Sequence, residues 1–355
     1  MKVSFLQFVI QRRVVSLQCL ALFCVCLMVF HCSNEKPYTM QDYVAECEQA
    51  LGKIPTFSCM QGKEIPVTMH GKTLQNPDAD AKCDKPSLAM LSLGIPGACL
   101  AHSRIGYLKG EKDTEWVFLC RRMKKASGSQ DKDFGEVAFI EHRPSTGTTC
   151  FFQGAELKGG SVPKPGGSPK QPDKYWFHPA KTSSLRCIHC HDNDPWVHTP
   201  YVDQVKRQAS KKSVPLVPFA KPEGKYRVVG SRYFTKGATS SQLSADGEWG
   251  LFRVLYSGDV QGKWLEPWPQ PKYLRHPDAQ ACTQCHRIAD QNTCKEWATA
   301  SFEKSTHFGS WTFAPWMPPV RGKAPQEAQK KALEAIKVCC KDRSLQSCNW
   351  TPIPQ

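Results

Sequence analysis

Beyond its N-terminus the chain lacks any long apolar run, which excludes a polytopic membrane protein, whose helices each need about 20 apolar residues. Apart from one short motif that occurs twice, it has no internal repeat, so an array of stacked units is excluded as well. Blocks of like charge are also missing. Lys and Arg (47) outnumber Asp and Glu (32), a formal charge of +15 at pH 7, but the cations are scattered along the chain. A phosphate backbone attracts clustered cations, so no nucleic acid is expected as a partner. The excess suits acidic proteins or anionic surfaces instead.

With 355 residues the chain is long enough for two or three compact domains. Its hydrophobic (40%) and charged (22%) fractions are those of a soluble protein. The N-terminus differs. Lys2, Arg12 and Arg13 precede an apolar stretch from Val14 to Phe30, so residues 1–31 read as a signal peptide or a membrane anchor. Cys32, followed by Ser33-Asn34-Glu35-Lys36, resembles the acceptor of a bacterial lipoprotein, although Phe30 and His31 are bulkier than the residues usual there. Export to the periplasm or the cell surface is expected, with attachment to a membrane through the N-terminus or through lipid on Cys32.

Cysteine is abundant, with 18 residues. Three lie in the leader, Cys32 is the anchor candidate, and four belong to the paired motif described below. The remaining ten are Cys47, Cys59, Cys83, Cys99, Cys120, Cys150, Cys294, Cys339, Cys340 and Cys348. Six precede the first motif and four follow the second, which predicts three disulfides in front and two behind. An oxidising compartment is implied, independently of the leader.

The pattern predicts an α+β chain. Residues 32–157 read as a disulfide-bearing, β-rich module, with β-branched and aromatic runs at Trp116–Cys120, Glu136–Ile140 and Thr149–Phe152 and a turn at Pro144–Gly147. Residues 158–172 are rich in Gly and Pro and read as a linker. Residues 173–271 hold the first copy of the motif and two strand-like runs, Tyr226–Gly230 and Leu251–Tyr256. In residues 272–355, which hold the second copy, Pro325 opens a run in which Ala332, Leu333, Ile336 and Cys340 fall at helical spacing.

The paired motif carries the chemistry. Cys187-Ile188-His189-Cys190-His191 and Cys282-Thr283-Gln284-Cys285-His286 are both C-x-x-C-H. Two thiols at this spacing reach the two vinyl groups on one edge of a porphyrin, and the following His then lies under the ring with its imidazole toward iron. A zinc site built from the four thiols would leave both histidines unexplained. On these residues the chain resembles an exported, multihaem c-type cytochrome, and residues from about His276 to Lys341 are similar to a class I cytochrome c module. The resemblance implies two covalent haem c groups, held by Cys187, Cys190, Cys282 and Cys285, with His191 and His286 as proximal iron ligands. It also implies that Met317, in Trp316-Met317-Pro318-Pro319, is the distal ligand of the second haem, with His307 as the competing residue.

For the first haem the sixth ligand stays open between His178, His198, a Met and a vacant position. The string Asp192-Asn193-Asp194-Pro195 reads either as an acid or base beside an open iron or, more simply, as a solvated turn. Two functions follow. One is electron transfer through two haems to acidic redox partner proteins. The other is a di-haem peroxidase or related oxidoreductase with an open iron at the first haem, although motifs about 95 residues apart are closer than such enzymes place them.

Overall fold

The structure is a computed structural model describing residues 39–75, 77, 83–85, 87, 99–167, 175–179, 182, 191, 193–209, 212–221, 224–229, 272–283, 287–290, 292–298 and 326–354. The leader, Cys32 and the run Leu251–Tyr256 lie outside them. Content is mixed α and β, with a mainly β front region.

The centre is a six-stranded sheet. β2 (Lys63–Glu64), β5 (Arg104–Lys109), β6 (Glu115–Arg121), β7 (Phe134–His142) and β8 (Thr148–Leu157) are successive antiparallel neighbours, and β12 (Arg227–Val228) joins β8 in parallel. Between β2 and β5 the chain forms a separate short hairpin of β3 (Thr68–Met69) and β4 (Lys72–Thr73). The three strand runs read from sequence fall within β6, β7 and β8. The turn between β7 and β8 bonds Thr146 N and Gly147 N to Arg143 O. Gly147 is required there: its φ is +73°, and a Cβ would lie 2.3 Å from the backbone of Lys225, on the approach to β12. Residues 158–167, expected to be linker, contain β9 (Ser161–Val162), which pairs with β1 (Phe57–Ser58) and buries Val162.

Alternation along the strands gives the sheet two covered faces. On one face Trp116, Phe118, Phe139 and Phe152 form an aromatic core, with Phe57 stacked 4.5 Å from Phe118 and Tyr43 5.2 Å from Phe152. α1 (Met40–Leu51) supplies Tyr43. This helix lies beyond the β-rich expectation for the front module, and its signals are local: Tyr43, Val44, Cys47 and Leu51 share a face, and Thr39 and Asp42 form a capping box. The disulfide Cys47–Cys150 ties α1 to β8, and Cys59–Cys120 ties the turn after β1 to β6.

The other face of the sheet packs on the chain that follows the first motif. Ile105, Val117 and Leu119 meet Trp196, Tyr201, Val202, Val205, Leu216 and Val217. The last five of these belong to or flank α2 (Pro200–Asp203) and the hairpin of β10 (Lys206–Ala209) and β11 (Lys212–Pro215).

Residues 272–354 gather α3 (Gln280–Thr283), α4 (Asn292–Trp297) and α5 (Glu327–Lys341) around Leu274, Ile288, Leu333 and Ile336. α5 matches the helix read from sequence, and the residues expected inside, Ala332, Leu333, Ile336 and Cys340, are buried. β13 (Lys272–Tyr273) pairs with β14 (Thr351–Pro352), and Tyr226 N donates to Pro354 O, which fastens the C-terminus beside β12. Among the described residues the disulfides are Cys47–Cys150, Cys59–Cys120, Cys83–Cys99, Cys294–Cys340 and Cys339–Cys348, three in front and two behind as expected. Among the described residues no helix is long and apolar enough to cross a membrane.

Candidate functional site

The motifs themselves are described only in part. Cys187, Cys190, Cys285, His286, Met317 and His307 lie outside the described residues, whereas His191, Cys282, His178 and His198 lie within them. Cys282 sits on α3, partly exposed and packed against the C-terminal cluster, and takes part in none of the five disulfides.

His191 closes the first motif. Its imidazole packs edge-on against Phe151 of β8, with ring centroids 5.3 Å apart, and its backbone carbonyl accepts from the Tyr226 hydroxyl at 2.5 Å. Nδ1 lies 3.3 Å from the carbonyl oxygen of Asp194. A carbonyl can only accept, so Nδ1 carries the proton and Nε2 keeps its lone pair. A metal-binding histidine is commonly held this way, its remote nitrogen free for the metal. Burial of the ring pushes its pKa down to about 4, which favours the neutral form a metal requires.

The exits of the two motifs meet. Arg287, the residue after His286, donates from Nη1 to the carbonyl of Asn193 at 2.7 Å, and Asn193 Nδ2 donates back to the carbonyl of Arg287. Arg287 Nη2 also donates to the carbonyl of Lys221, and Nη1 lies 3.8 Å from Asp194 Oδ1. Both Arg287 and Asn193 are buried. Within the string after the first motif, Asn193 is 1% exposed and Pro195 is buried rather than solvated, and Asn193 serves as a structural clamp. Arg287 is not legible in the sequence, because a single Arg after a motif has no spacing signature.

The two distal candidates differ. His198 has both ring nitrogens engaged, Nδ1 with Asp203 Oδ1 at 2.8 Å and Nε2 with the carbonyl of Pro218 at 3.1 Å, and its ring stacks on exposed Phe219. Its carboxylate partner would orient an iron ligand, but the nitrogen that would bind faces a carbonyl. His178 is partly buried, and its carbonyl accepts from Thr182 N.

Two buried titratable groups on β7 were not singled out from sequence. Glu141 is fully buried, and its pKa is pushed up to about 9 by burial. His142 is 4% exposed, with its pKa pushed down to about 4, first by burial and then by the charge of Arg287. Alternating burial gave a signal for β7, but no motif marks either residue.

These residues fit a haem in three respects: the tautomer of His191, the apolar floor of Phe151 beside it, and the common seam of the two motif exits. Compared with protein-family models, with curated proteins and with solved structures, the chain matches none.

Proposed function

We propose that this chain is an exported di-haem c-type cytochrome whose function is electron transfer. The observation that carries the reading is the clamp between Arg287 and Asn193, because it brings the exits of two C-x-x-C-H motifs, about 95 residues apart in sequence, into hydrogen-bond contact. Cofactors attached at such a seam lie close to one another, as electron exchange between them requires. A haem supplies reversible one-electron chemistry when bound. The chain's part is to attach it through Cys187 and Cys190 or Cys282 and Cys285, to present His191 and His286 to iron, and to exclude water.

The distal ligand of the second haem is Met317 in this reading, and the helical cluster of α3, α4 and α5 supplies the mainly α, cytochrome c-like part. Five disulfides support an oxidising compartment, hence the periplasm or cell surface. The formal +15 supports acidic redox proteins as partners.

Electron paramagnetic resonance of the oxidised, haem-loaded protein, with and without peroxide, tests the assignment. Two low-spin irons indifferent to peroxide are expected. A high-spin iron that binds peroxide would overturn it in favour of the di-haem peroxidase.

A further inference from the structure

His191 and Arg287 belong to different motifs, yet one short chain of contacts joins them. Asp194, whose carbonyl accepts the Nδ1 proton of His191, is fixed on both sides. After it, Pro195 and Trp196 are buried, and a following proline restricts Asp194 to extended backbone. Before it, the carbonyl of Asn193 accepts from Arg287 Nη1 at 2.7 Å, and the same nitrogen lies 3.8 Å from Asp194 Oδ1. The peptide group that joins Asn193 to Asp194 and the side chain of Asp194 thus share one guanidinium.

That guanidinium is well placed to fix them. Its side chain is 2% exposed, Nη2 donates to the carbonyl of Lys221, and the main-chain carbonyl of Arg287 accepts from Asn193 Nδ2. A planar fork held at both ends has little freedom to turn. On the other side, Tyr226 holds the carbonyl of His191, and Phe151 lies against its ring. With the backbone pinned, the bond from Nδ1 to Asp194 is what sets the rotation of the imidazole. At 3.3 Å this bond is at the long end for N–H to oxygen, so a small displacement of Asp194 removes it.

We propose that Arg287 is a positioning residue for His191. Through Asn193 and Asp194, the residue that follows the second motif sets the plane and the donor strength of the imidazole that the first motif presents to iron. The inference rests on the di-haem reading. It makes the first site dependent on a side chain of the second, so a change at Arg287 is felt at the first haem even when the second is absent.

The test is therefore read where the first haem stands alone. Haem content is counted beforehand: fewer than two covalent haems in the wild type sinks the di-haem reading itself. In the full chain carrying Cys282→Ser/Cys285→Ser, Arg287→Met should shift the g-values of the one oxidised iron in electron paramagnetic resonance, and Arg287→Lys, which keeps a cationic donor, should return them toward the parent's. A brace that served only its neighbour His286 would leave that spectrum unmoved, so unchanged g-values in a folded, haem-loaded Arg287→Met chain overturn the proposal. Should Arg287→Met fail to fold, Arg287→Gln removes the charge with less loss of shape. The Nδ1 proton of His191 in its reduced form should then exchange with water about tenfold faster than in the parent, by nuclear magnetic resonance. Equal exchange there overturns the proposal.

Discussion

Replacing Glu141 by Gln should stabilise the protein at neutral pH and remove part of its pH dependence. Glu141 lies on β7 between its cross-strand neighbours Trp116 and Cys150. It is fully buried, and among the described residues neither carboxyl oxygen has a hydrogen-bond partner. Burial pushes its pKa from 4.5 up to about 9, the nearby charge of Arg143 offsets only part of this, and Glu48 adds to it. The folded state holds a proton that the unfolded chain releases, so the stability linked to this group is full below pH 4.5 and is lost as pH rises toward 9.

Each pH unit in that window costs about 1.4 kcal/mol, so between pH 4.5 and pH 7 the carboxyl costs about 3 kcal/mol. Gln keeps the shape and stays neutral. Urea unfolding of both proteins, disulfides intact, at pH 5, 7 and 9 isolates the effect, because other titrations cancel in the difference. Glu141→Gln should gain on the wild type by about 1.4 kcal/mol per pH unit through this range. A difference that stays constant with pH would refute the reasoning and show the carboxylate to be charged and solvated in the fold.

Three further outcomes follow from the same structure. Arg287→Met removes the buried cation that the carbonyls of Asn193 and Lys221 and the carboxylate of Asp194 share, and should cost about 3–5 kcal/mol in urea unfolding, against less than about 1 kcal/mol for an exposed ion pair. The double variant Cys59→Ser/Cys120→Ser opens a link between residues 61 apart in sequence and should cost about 2–5 kcal/mol, read from the shift in unfolding midpoint under non-reducing conditions. Met317→Ala should abolish the near-infrared methionine-to-iron charge-transfer band of the oxidised protein, and an unchanged band would remove Met317 from the iron.

Much of this fold is legible in the sequence where local chemistry decides. β6, β7 and β8 announce themselves by alternating β-branched and aromatic residues, and α5 by Ala332, Leu333, Ile336 and Cys340 on one face. The disulfide division shows in the numbers of cysteines on either side of the motifs. What stayed hidden depends on distance along the chain. β12 falls within the strand-like run Tyr226–Gly230, but its parallel pairing with β8, from the far side of the Gly- and Pro-rich stretch, is not local. Nothing local in Arg227–Val228 reveals that partner. The clamp of Arg287 and Asn193 is equally non-local, with one ordinary residue beyond each motif acquiring meaning only when the exits meet. Buried His142 is hidden as well, because a histidine at the end of a strand carries no spacing signal.

The central claim, two covalent haems at the two C-x-x-C-H motifs, is tested most directly by a pyridine haemochrome assay on the chain matured with a haem-attachment system. The wild type, Cys187→Ser/Cys190→Ser and Cys282→Ser/Cys285→Ser are compared side by side. Two haem equivalents in the wild type and one in each double variant are predicted. A wild-type chain without covalent haem would contradict the account.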